Sequence, residues 1–147
     1  MSHLLTFSGY RNRKRLVRDA IQWFIDKRNL SRFSFWIDVK DRRTWSEGMD
    51  GCCTTTSQPS MPREFEIELE NRLDQRQYLI TLFHELMHVD QRLRNRHQQR
   101  FMPKFTNKWM GEIISDDTPY DEEPWEVEAF AMQEKLYEEY MLSLIHI

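Results

Sequence analysis

The apolar positions along the chain fall into two spacings. In residues 11–29, RNRKRLVRDAIQWFIDKRN, Leu16, Val17, Ala20, Ile21, Phe24 and Ile25 recur as on one side of a helix. Residues 32–39, RFSFWIDV, alternate Phe33, Phe35 and Ile37 and predict a strand. Residues 40–62 read as a loop with Gly48, Gly51, Pro59 and Pro62, interrupted by a short strand at 53–56. REFEIELE, residues 63–70, alternates strictly, with Phe65, Ile67 and Leu69 against Glu64, Glu66, Glu68 and Glu70, the pattern of a strand with one wet face.

Asp74 with Gln77 resembles a capping box opening a helix over residues 75–96. Residues 97–120, with Pro103, Gly111 and Pro119, read as irregular. The last helix, over residues 122–142, carries Pro124 where a first helical turn accepts it. The order is helix, two or three strands, helix, loop, helix. It predicts one α+β domain over residues 1–147, with a small, mostly antiparallel sheet.

Composition changes this picture little. A chain of 147 residues with 31% charged and 39% apolar residues can bury a core of its own. No apolar run approaches the roughly 20 residues of a membrane span, so no membrane partner is expected. The N-terminus lacks the basic-then-apolar order of a signal peptide, and the expected compartment is the cytoplasm. The adjacent pair Cys52 and Cys53 is ill placed for a disulfide and reads as structural. Net charge is −3, unevenly spread: residues 11–18 hold five basic residues, and residues 112–139 hold eleven acids and one lysine. The basic helix is a candidate contact for nucleic acid, with two solvated helix faces as the plainer alternative.

Candidate chemistry lies in TLFHELMHVDQ, residues 81–91. At about 100° per residue, His88 falls about 40° and Glu85 about 100° from His84, while the apolar residues take the opposite arc. Both imidazoles then leave one side of the helix a turn apart, able to reach one zinc ion, with Glu85 beside them as a general base. A zinc enzyme needs a third protein ligand. Arg94 stands where a third histidine six residues past His88 would be, and His97 reaches the metal only if the helix breaks first. Glutamate from PWEVEAF is the remaining source. Glu126 and Glu128 lie about 200° apart, so only one faces the metal. Glu126 is favoured because it shares a face with Ala129, whose small side chain leaves room for a close helix, and with Phe130, Gln133 and Tyr137.

HELMH followed by EVEA resembles the gluzincin arrangement, HExxH then ExxA on a later helix. More narrowly, PREFEIELENR, LITLFHELMHVDQ, KWMGE and YDEEPWEVEAFAMQEKL resemble, in that order, a family of small metallopeptidases often called SprT-like, found in phage and bacterial genomes. The likeness covers residues 63–136, about half the chain, but lacks the downstream third histidine of SprT proper. The pattern is also similar to IrrE/ImmA-type peptidases, which cleave repressor proteins.

The resemblance implies a compact zincin-like domain with zinc on His84, His88 and Glu126, Glu85 as base, and a protein or peptide substrate, in the host cytoplasm if the chain is phage-encoded. It also implies that REFEIELE is an edge strand pairing with substrate, and four outward glutamates lining the cleft would then disfavour acidic substrates. Trp109, Gly111, Tyr120 and Trp125 belong to a connection able to close over the site, where Tyr120 is a conceivable transition-state donor. The rival reading is a non-catalytic zinc module that contacts nucleic acid or a regulatory protein through the basic N-terminal helix. Oligomeric state is not legible.

Overall fold

A computed structural model of the protein describes residues 3–9, 11–55 and 62–145. The protein is an α+β domain. Its chain order is β1 (His3–Ser8), α1 (Arg11–Lys27), β2 (Phe35–Arg42), β3 (Gly51–Thr55), β4 (Glu64–Glu70), α2 (Gln75–Leu93), β5 (His97–Arg100), β6 (Thr106–Trp109), β7 (Glu112–Ile114) and α3 (Pro124–Ser143). The main sheet is ordered β1-β2-β4-β3, and β5-β6-β7 form a second sheet.

The main sheet departs from the mostly antiparallel one expected. β1 pairs parallel with β2 and β2 parallel with β4, and only β3 is antiparallel, on β4. The reason is β1, a strand the apolar spacing of HLLTFS did not announce. It feeds α1, and the helix returns the chain to β2 in the same direction, the connection parallel strands require. The second sheet is antiparallel throughout.

β4 is not the edge strand that was expected. It lies between β2 and β3, with Ile67 opposite Val39 on one side and Cys53 on the other. A period of two reports which faces are buried; it says nothing about which edges are paired. Among the described residues the edges belong to β1 and β3, and the expected range of 53–56 for β3 becomes Gly51–Thr55, with Thr56 outside the described residues. Nor is the glutamate face of β4 simply wet. Lys40 Nζ meets Glu66 at 3.3 Å, and Arg42 Nε donates to Glu68 at 2.6 Å. Glu70 is fully buried and accepts from the backbone N–H groups of Thr44, Trp45 and Arg72 at 2.8, 2.8 and 3.0 Å.

The helices cover the apolar face. Val17, Ala20, Ile21, Phe24 and Ile25 of α1 join Phe35, Ile37 and Val39 of β2 and Phe65, Ile67 and Leu69 of β4 in one core. Asn29, at φ 56°, ends α1 in the left-handed conformation that asparagine tolerates. Asp74 opens α2 by accepting the Gln77 N–H at 2.8 Å. Fourteen of the 19 residues of α2 are buried, because the sheet lies on one side of it and α3 on the other. Among the described residues, no helix is long and apolar enough to cross a membrane.

Residues 97–114, expected to be irregular, hold the second sheet. Its strands are three or four residues long and carry no apolar alternation, so periodicity could not reveal them. The two-residue turn at Met110 and Gly111 closes the β6–β7 hairpin, with φ of 52° and 89°. Positive φ at both central residues suits the twist of a tight hairpin, and glycine supplies one of them without strain.

Candidate metal centre

α2 and α3 bring three polar side chains together at the edge of the core. His84 and His88 project from one side of α2 one turn apart, and Glu126 meets them from the first turn of α3. His84 Nε2 lies 2.9 Å from Glu126 Oε1, and His88 Nε2 lies 3.2 Å from Glu126 Oε2. Their ligand atoms all fall within 4.8 Å of one another, and this buried group could hold a metal ion. Fully buried Ala129, one turn beyond Glu126, lets the helices approach.

The outer nitrogens of both rings are held. His84 Nδ1 meets Gln133 Oε1 at 2.8 Å, and His88 Nδ1 meets Gln91 Oε1 at 2.9 Å. The orientation of the Gln91 amide follows from its other contacts, since its Nε2 donates to Trp125 O at 3.0 Å and to Glu128 Oε1 at 3.1 Å. Its Oε1 must then accept, so the proton of a neutral His88 sits on Nδ1 and the Nε2 lone pair faces the carboxylate. An imidazole lone pair against a carboxylate oxygen is repulsive unless a cation, proton or metal, lies between them. The donor set therefore fits a metal, with each ring held by a second hydrogen bond in the manner of ligating histidines.

The same contacts set the charge states of the clustered groups. Burial alone would raise the Glu126 carboxyl, but its hydrogen bonds to His84 and His88 hold it at about 2. Burial would lower His88, yet the Glu126 hydrogen bond and the nearby Glu85 charge push it above its usual value. Burial pushes Glu85 upward, against the pull of His88 and His84. Tyr120 donates to Glu126 Oε1 at 3.1 Å, and burial followed by the Glu126 charge raises its hydroxyl.

Glu85 lines a cavity of about 440 Å³ with the three clustered side chains, Tyr120 and the start of β3. A smaller cavity of about 140 Å³ continues past His88 and Glu126 along Thr54 and Thr55. Together they follow β3 from end to end. Gly51 permits that closeness, because a Cβ there would lie 2.9 Å from both Thr81 Cγ2 and the Glu68 carbonyl. Burial also pushes up both cysteine thiols on this strand, Cys52 to about 11, and neither joins the cluster.

The other candidates lie elsewhere. Glu128 turns to Gln91 and, at 2.6 Å, to Arg96. α2 does end before His97, but that ring stacks on Trp125 at 4.0 Å and bonds Asn107 at 2.9 Å. Trp109 sits beneath the Arg96 guanidinium and Gly111 in the hairpin turn, so of that connection Tyr120 faces the larger cavity and Trp125 the smaller. In the basic stretch, Arg13 turns inward onto the Tyr78 ring and the Leu73 carbonyl, leaving Lys14, Arg15 and Arg18 exposed.

Sequence reasoning assigned no role to Gln91 and Gln133. Their signal was spacing alone: Gln91 is three residues past His88, and Gln133 is two turns past Glu126. No protein-family model, curated protein or solved structure matches the chain.

Proposed function

We propose that the protein is a zinc-dependent peptide-bond hydrolase of the zincin type, with His84, His88 and Glu126 as metal ligands and Glu85 as general base. The observation that carries this reading is the facing of two Nε2 atoms and one carboxylate, with both Nδ1 atoms held by glutamine oxygens. Ligand atoms about 2.0–2.1 Å from a tetrahedral zinc stand about 3.3 Å apart, close to the two nitrogen–oxygen distances here. Two nitrogens and one carboxylate also make a three-ligand set of the catalytic kind. Zinc bound there would polarise the scissile carbonyl and acidify the attacking water.

The rest falls to the chain. Gln133 and Gln91 hold the two rings in their tautomers, and the Glu126 carboxylate stays ionised. Glu85, in the same cavity, takes the proton of the attacking water and returns it to the leaving nitrogen. Its raised pKa brings a carboxylate nearer the operating pH, as a base that must also act as an acid requires. β3, the last strand of the main sheet among the described residues, would offer backbone groups to an extended peptide.

The test couples metal content to turnover. Purified protein should hold about one zinc per chain. Glu85→Gln should keep that zinc and the melting temperature, while cleavage of unfolded or DNA-bound proteins falls by about 10²–10⁴-fold. Metal-free protein with unchanged thermal stability in strong chelator would refute the reading. Equal inertness of wild type and variant, together with tight wild-type binding of DNA through the α1 face, would favour a non-catalytic module.

A further inference from the structure

The smaller cavity beside the metal centre contains an arginine that no carboxylate among the described residues neutralises. Arg92 is one turn past His88 on α2 and lines this space with Thr54, Thr55, His97 and Gln99. Its Nη1 is buried and has no hydrogen-bond partner among the described residues. Neighbouring arginines are treated differently: Arg28 and Arg94 pair with Asp90, and Arg96 pairs with Asp90 and Glu128. The only carboxylate lining the cavity is Glu126, which is already engaged by the two histidines. The chain between β3 and β4 supplies none either, since residues 56–61 read TSQPSM.

Arg92 is half-buried, and a guanidinium N–H taken from water without an acceptor is costly, a cost that an incoming anion would relieve. Planar guanidinium and carboxylate groups also match as a two-bond pair. The four glutamates of β4, expected to repel acidic substrates, line neither cavity. We propose that Arg92 binds a carboxylate of the peptide substrate in the small cavity, making the enzyme selective for an acidic group next to the scissile bond. This rests on the peptidase reading.

The direction of β3 says which side of the bond carries the acid. β3 begins at Gly51, in the cavity shared with Gln77 and Thr81, and ends at Thr55, in the cavity shared with Arg92. A peptide added antiparallel to β3 lays its N-terminal half along Thr55 and Arg92. The recognised group is then an aspartate or glutamate side chain on the N-terminal side of the bond. A peptide added parallel would instead lay its C-terminal half there, presenting an acidic side chain beyond the bond or its C-terminal carboxylate.

The experiment uses the full chain loaded with zinc. Peptides that differ only as aspartate or asparagine at successive positions, each with a free or amidated C-terminus, are tested for cleavage by wild type and for binding to Glu85→Gln. One position should prefer the acid by about 10- to 100-fold, the range of a charge-assisted hydrogen bond. In Arg92→Gln that preference should fall within about twofold of unity, and Arg92→Lys, which keeps the charge and covers failure of the first variant to fold, should retain part of it. Preference confined to positions on the C-terminal side of the bond, or to the free C-terminus, keeps the Arg92 carboxylate site and overturns the antiparallel direction. Peptides cut or bound with no acid preference, or with one that both Arg92 variants keep, overturn the inference and leave the peptidase standing. No peptide cut or bound at all overturns both.

Discussion

The α2–α3 interface and the β5–β7 sheet adjoin one another and are built in opposite ways. At the interface, polar groups are buried and each is held by another: Glu126 by two histidines and Tyr120, Gln91 by Trp125 and Glu128. In the small sheet, strands of three or four residues are held by backbone pairing, while Met110, Ile113 and, in the β5–β6 connection, Phe101 and Met102 lie mostly exposed. Few contacts join the two regions. His97 stacks on Trp125, Arg96 pairs with Glu128, and the Met110 N–H donates to the Arg96 carbonyl at 2.8 Å. Position within a site of this kind comes from buried, mutually satisfied groups, because each one lost leaves another unpaired in low dielectric. Within the sheet such contacts are fewer, with His97 and Gln99 meeting the Asn107 side chain at 2.9 and 3.2 Å.

The largest expected effect is on the metal. His84→Ala or His88→Ala should abolish stoichiometric zinc by elemental analysis, and with it the part of the stability that binding supplies. Glu126→Gln should weaken zinc by well over 100-fold in a chelator competition, whereas Glu128→Gln, acting through Gln91, should cost at most about tenfold. The reverse order would mean that α3 presents its other face to α2.

Packing should separate the regions next. Phe83 is fully buried among Phe24, Trp23 and Tyr140, so Phe83→Ala should cost about 3–5 kcal/mol in urea unfolding. Ile113→Ala, at a side chain 70% exposed, should stay within about 0.5 kcal/mol. Equal losses would show that the sheet is as structural as the helix pair.

His97 tests the seam between them. Burial, then the Arg92 charge, lowers its pKa to about 4 from an ordinary value near 6.5. The unfolded chain then binds the proton first as pH falls, so the stability from a neutral His97 is complete above about 6.5 and fades toward 4. That depression corresponds to on the order of 3 kcal/mol. Chelator-treated wild type should lose stability over this window more steeply than His97→Phe, which keeps a ring to stack on Trp125. Parallel pH profiles would mean that His97 is not buried against α3.

A second pH effect concerns β4. Arg72 and three backbone donors, with burial opposing them, hold the Glu70 carboxyl at about 2. Its contribution is present above the unfolded-state pKa and is lost as pH falls toward 2. Glu70→Gln should therefore lower the melting temperature at pH 7 and differ little from wild type near pH 2.

Much was written along the chain. The spacing of Val17 to Ile25 made α1 legible, and the strict alternation of residues 64–70 made β4 legible. His84 and His88 share a helix face because they are four residues apart, and Glu126 and Glu128 oppose each other because they are two apart. These are consequences of backbone periods of 3.6 and 2, which any reader of the letters can apply. What the letters could not carry is which edge meets which. β4 reads the same paired on both sides or on one, so the edge position passed to β3. The second sheet is built from HQQR, TNKW and EII, whose backbone pairing leaves no trace in hydropathy. The partners of the site came from neighbours remote in sequence: Gln133 lies 49 residues from His84, and Glu126 lies 42 from it. Local spacing sets where a side chain points, but only the packing of α2 between the sheet and α3 decides what it points at.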